Sequence, residues 1–165
     1  MTARTLLASP LLWRLALALT ALVLAYRQTS FARHDRTLGA MREALAAMPL
    51  PRGAEVVDRF EQLGVLSGNG NHCDYVVALR LSADVDPAAL ARQLRGRSLR
   101  VRDDRGTFEV LVEVWPPERP ASVPYDPAFG LLPERWLVRA PSGRSNPVVY
   151  AFRAGDRPAH DIRCH

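Results

Sequence analysis

Residues 73–115 contain three patterned runs: CDYVVALRL (73–81), DPAALARQLRG (86–96) and SLRVRDDRGTFEVLVEVW (98–115). In the first, Tyr75, Val77, Leu79 and Leu81 recur at every second position, the period of a strand. The second starts as a helix. Asp86 is placed to cap it, and Pro87 takes the first helical position, where a missing N–H costs nothing. Val85 and Leu90 are spaced as a hydrophobic staple, Leu90 and Leu94 form the apolar stripe, and Gly96 ends it. The third run folds back on itself. Ser98–Arg102 and Thr107–Trp115 flank a turn at Asp103-Asp104-Arg105-Gly106, and Phe108, Val110, Val112 and Val114 alternate with Glu109, Leu111 and Glu113. Strand, helix and hairpin in this order predict an α+β fold: a small antiparallel sheet with one packed helix.

The flanks extend the same sheet. Gly53–Leu63 (GAEVVDRFEQL) reads as a first strand, and Ser67-Gly68-Asn69-Gly70-Asn71 is turn chemistry that pairs it antiparallel with 73–81. Pro116–Pro133 holds six prolines in eighteen residues and is a long loop. Its Tyr125, Phe129, Leu131 and Leu132 need burial, so it is expected to wrap the surface. Trp136–Arg139 and Pro147–Arg153 are expected to form a last hairpin through Ser142–Asn146. The domain then spans residues 52–165.

Before it comes LLWRLALALTALVLAY (Leu11–Tyr26), apolar except for Arg14 and Thr20. Its uninterrupted part, from Leu15, would be only about 18 Å long as a helix, against a bilayer core of about 30 Å. A helix starting near Thr5 would span, with Arg14 reaching back to the headgroups and Trp13 and Tyr26 at the interfaces. The reading adopted is a retained signal-anchor, 11–28, behind a cytoplasmic end, 1–10. The alternative is a signal peptide cleaved after Val23-Leu24-Ala25, releasing a secreted domain.

Residues 29–51 read as an amphipathic linker helix. Phe31, Leu38 and Leu45 repeat every seven residues, with His34, Met41 and Met48 between them, and Pro49 and Pro51 stop the pattern. The stripe can support weak homo-oligomer formation, or can simply lie on the domain or on the membrane. Gly39 and His34 within it favour the second use.

The net charge of +5 does not indicate nucleic acid. Residues 1–48 carry six Arg against Asp35 and Glu43, whereas 49–165 carries sixteen Arg against fifteen acids. The excess thus surrounds the apolar segment, as membrane-surface anchoring requires. The run Arg92, Arg95, Arg97, Arg100, Arg102, Arg105 has no interleaved aromatics on which bases could stack. All 22 basic side chains are Arg, which fits GC-rich bacterial coding.

Cys73 and Cys164 are the two cysteines, and an extracytoplasmic domain most economically joins them as a disulfide. That chemistry favours the cell membrane, single-pass, with the C-terminal domain outside. A different use of the same residues is a metal set of His72, Cys73, His160 and Cys164, suited to zinc, or a Cys73–His160 thiol enzyme. No G-x-S-x-G, H-E-x-x-H, Walker A or EF-hand pattern occurs. The expectation is therefore a non-catalytic domain without cofactor that binds an envelope protein or ligand. Its candidate loops carry Asn69, Asn71 and His72, and Tyr125 and Phe129.

Overall fold

The computed structural model describes residues 10–66, 72–82, 84–115, 131–137, 146–155 and 161–164. A single helix, α1 (Pro10–Ala46), runs through both N-terminal segments without a break. It lies in two environments. Leu17 and Leu22 are 67% and 66% exposed, whereas Met41 and Leu45 are 0% and 1% exposed. The change falls at Ser30, the first buried residue of the helix. By length and composition α1 can cross a membrane.

Five strands follow: β1 (Val56–Gly64), β2 (Asp74–Leu81), β3 (Ser98–Asp103), β4 (Gly106–Trp115) and β5 (Val148–Arg153). They lie in the order β1-β2-β5-β4-β3, and every neighbouring pair is antiparallel. The two expected hairpins form, with Leu63 opposite Tyr75 in one and Val101 opposite Phe108 in the other. Gly106 closes the second at φ +134°, a backbone geometry that side chains disfavour.

Helix α2 (Pro87–Leu94) starts as its residues predict. The Asp86 carboxylate accepts hydrogen bonds from the amides of Ala88 at 3.0 Å and Ala89 at 3.3 Å. Leu90 and Leu94 are its buried residues, and Gly96 at φ +70° turns the chain away. The same sheet face also receives the second half of α1. Tyr75, Val77, Leu79, Leu99, Val101, Val110, Val112, Val149 and Ala151 meet Met41, Leu45, Leu90 and Leu94 in one core. Part of the seven-residue stripe is thereby accounted for, since His34, Met41 and Leu45 are buried and Leu38 and Met48 pack against the core. The small residues between them also matter, because Thr37 is 2% exposed.

The last expected hairpin does not form. Residues 134–137 make a single helical turn, α3 (Glu134–Leu137), and residues 138–139 lie outside the described ones. Trp136 is driven by burial: with Leu131 and Leu132 it covers Val76, Ala78, Val148 and Tyr150 on the far face of the sheet. Its indole N–H donates to Asp58 at 3.2 Å. β5 is freed from that pairing and enters between β2 and β4, with Ala78 opposite Tyr150 and Val114 opposite Val149. Both central strands are therefore apolar on both faces, so β2 buries Val76 and Ala78 as fully as Val77.

α1 and β2 run in the same direction. His34 meets Tyr75 near the start of β2, and Leu45 lies beside Val77 and Leu79 farther along. The start of β2 and the β3–β4 turn thus sit at the end of the sheet nearest the exposed half of α1, where Thr37 and Arg36 hold Asp103 and Asp104. Truncating Leu45 to Ala removes a fully buried side chain from the helix–sheet contact. It should lower unfolding stability by about 2–5 kcal/mol in denaturant titrations. Asp86→Ala, which loses only the cap, should cost about 1 kcal/mol.

Candidate functional site at the paired cysteines

Cys73 immediately precedes β2, and Cys164 lies in a 3-10 turn (Ile162–Cys164) at the end of the described chain. Their Cα atoms are 4.9 Å apart, within disulfide distance, and the two sulfurs are joined. Both residues are completely buried. Strand alternation sends Cys73 and Tyr75 to the same face, toward α1. There His34 lies between them. Its Nε2 is 3.7 Å from Cys73 Sγ, and its Nδ1 pairs with the Tyr75 hydroxyl at 2.5 Å.

The terminal turn brings two more charged groups. Asp161 is fully buried, and its carboxylate takes hydrogen bonds from Arg163 Nε at 3.0 Å and Nη2 at 2.7 Å. Arg163 also reaches α1, where Nη1 pairs with Asp35 at 2.7 Å and the guanidinium lies 4.9 Å from the Phe31 ring centre. One arginine thus clasps the chain end to the helix.

On the other side of the Cys73 backbone, Asp74 is fully buried. Its carboxylate accepts from the amides of Leu66 at 3.0 Å and Gly155 at 3.3 Å, and pairs with His72 Nε2 at 3.1 Å. These bonds tie together the ends of β1, β2 and β5. Gly155 packs directly on the Cys73 carbonyl, leaving no room for a Cβ.

The environment decides how these groups titrate. Burial pushes His34 below the usual imidazole value, aided by Arg105 and Arg163 and opposed by Asp161. Burial likewise raises Tyr75. Asp161 is also pushed up by burial, but hydrogen bonds from Arg163 more than reverse this and hold it below the ordinary carboxylate value. Arg163 is raised by the same pair. Asp103 behaves like Asp161: the Thr37 hydroxyl at 2.7 Å and the Arg105 amide at 2.9 Å outweigh its desolvation and lower it.

Of the residues singled out by sequence, Cys73 and Cys164 come together. His72 is turned to Asp74, while the histidine beside Cys73 is His34. Asn69, Asn71, Tyr125, Phe129 and His160 lie outside the described residues. His34, Tyr75, Asp161 and Arg163 were not legible as a site. Their signal was indirect: a histidine in an apolar stripe, and charged residues carried along by the tail that delivers Cys164. His34, Cys73 and Asp161 each offer a donor atom, and these atoms lie within 4.8 Å of one another. With Cys73 bonded to Cys164, its sulfur is neither a nucleophile nor an anionic ligand.

No protein-family model, curated protein or solved structure matches the chain.

Peptide mapping without reductant should return Cys73 and Cys164 as one linked fragment, and Cys164→Ser should lower stability by about 2–5 kcal/mol. Gly155→Ala should also destabilise the fold, because the clash is with main chain. Asp103 supplies a pH test. Its folded pKa lies below the ordinary 3.8, so its contribution is present above that value and lost as pH falls through the folded one. The urea midpoint of Asp103→Asn should therefore fall less steeply below pH 4 than that of the wild type.

Proposed function

We propose that this chain is a single-pass membrane protein whose α+β domain stands on the extracytoplasmic side and binds a protein or envelope component without catalysing a reaction. The observation that carries the reading is the continuity of α1: exposed and apolar through Tyr26, with its first buried residue at Ser30 and its core residues from Leu38 onward. Only three residues separate the two regimes, and Tyr26 to Ser30 is a rise of about 6 Å along the helix. A flexible stalk has no place in that distance, so the domain would rest directly against the lipid headgroups.

The extracytoplasmic placement is supported by Cys73 and Cys164. A buried cysteine pair at bonding distance suits an oxidising compartment, where a disulfide persists. A binding role is favoured over thiol catalysis because Cys73, the cysteine beside His34, has its sulfur in that bond. Leu66 and His72, which flank the Gly-Asn loop, lie at the end of the sheet nearest the exposed half of α1. A partner engaging Asn69, Asn71 and His72 would then be met at the membrane surface. Tyr125 and Phe129 are proposed as a second contact.

The secreted alternative also has a structural basis. Cleavage after Ala25 would leave every core residue of α1 in place. Intact mass and alkaline-carbonate extraction of the expressed full-length chain separate the two. Retention of Leu11–Ala25 in a carbonate-resistant membrane fraction is the expected result, with a C-terminal phosphatase fusion active only outside. A soluble product lacking the first twenty-five or so residues would replace the anchor reading with the secreted one.

A further inference from the structure

The His34–Cys73–Asp161 group has a geometry that the disulfide alone does not require. In a tetrahedral zinc centre, Zn–S of about 2.3 Å and Zn–N of about 2.0 Å place sulfur and nitrogen about 3.5 Å apart. Cys73 Sγ and His34 Nε2 are 3.7 Å apart. The Asp161 carboxylate lies within 4.8 Å of both, and Cys164 supplies a second sulfur. All four residues are at most 5% exposed, so water would compete weakly for an ion among them. We propose that reduction of Cys73–Cys164 converts this cluster into a Zn²⁺ site formed by two thiolates, His34 Nε2 and Asp161. The same residues would then hold either a disulfide or a metal. This goes beyond the membrane-binding reading and does not depend on it.

The surroundings suit the exchange. His34 can donate Nδ1–H to the Tyr75 hydroxyl, which leaves the Nε2 lone pair directed at the sulfur. If one Asp161 oxygen turns to the metal, Arg163 keeps Asp35 as a partner at 2.7 Å. Two thiolates and a carboxylate around Zn²⁺ leave one excess negative charge, and the Arg163 guanidinium stands beside it to offset it. The sulfurs would have to separate to about 3.8 Å, the spacing set by two Zn–S bonds. Rotation of the Cys164 side chain in the terminal turn can supply that movement.

The chemistry balances in two steps. An external dithiol gives up two electrons and two protons and becomes a disulfide, while the Cys73–Cys164 bond breaks to two thiols. Zn²⁺ then replaces the two thiol protons, which pass to solvent. The metal set differs from His72, Cys73, His160 and Cys164 in both histidines, and that difference makes it testable.

The full-length chain in detergent, reduced with a phosphine and desalted without oxygen, would be titrated with Co²⁺ and then with Zn²⁺. The expected result is one Co²⁺ per chain with tetrahedral ligand-field and thiolate charge-transfer bands, displaced by one Zn²⁺, and no bands in the oxidised protein. His34→Ala and Asp161→Asn should each weaken Zn²⁺ at least tenfold while both thiols remain titratable, and His72→Ala should leave it unchanged. Circular dichroism monitors the fold throughout. Failure of the folded, reduced chain to take up metal would overturn the proposal, as would undiminished binding by His34→Ala or loss of the fold on reduction.

Discussion

The burial of the second half of α1 against the sheet is the contact on which the other parts depend. Met41 and Leu45 pack on the face made by Val77, Leu79, Val101 and Val112, and without them only Leu90 and Leu94 of α2 would cover it. A small sheet with one face largely uncovered buries little apolar surface against the entropy of ordering its chain. Here the covering element is also the segment able to cross a membrane. One continuous helix therefore carries both an exposed apolar half and a half buried in the domain.

The polar cluster at the paired cysteines follows from that packing. Laying α1 along β2 places His34 over Cys73 and Tyr75, inside a region from which water is excluded. Such groups are costly there unless they have partners. Tyr75 partners His34, Arg163 partners Asp161, and the remaining arm of Arg163 returns to Asp35 on the helix. The C-terminal turn is thus held by a covalent bond and by charge, at one place, against the helix whose first half is exposed and apolar. Disulfide, salt bridge and helix act as one clamp, so loosening any of them bears on the other two.

How much of this was readable depended on whether the cause was local. Asp86, Pro87, Leu90 and Gly96 define α2 because capping, proline geometry and stripe spacing act over a single helix. The 103–106 turn and the two hairpins are local in the same sense. Trp136 and Leu137 are helical and not extended, because the alternation there is short and a tryptophan after Pro133 gains more by covering the far face in a helical turn. The central position of β5 was hidden for a related reason: an apolar run buried on both faces shows no alternation that would name its neighbours. The stripe on α1 matched a coiled-coil seam, and period alone does not say whether a second helix or a sheet fills it.

The sequence by itself determined the α+β class, the apolar N-terminal helix, the capped α2, the hairpin turns and the two cysteines as natural partners. Each rests on spacing, on backbone geometry or on the chemistry of one residue type. Only the tertiary structure decided that β5 lies at the centre of the sheet, that α1 is a core element, and that His34 and Asp161 stand beside the cysteines. Those residues are separated by up to 127 positions, from His34 to Asp161, and no local pattern records the distance between them. What joins them is the burial of one helix on one face of the sheet, a contact made by the whole fold at once.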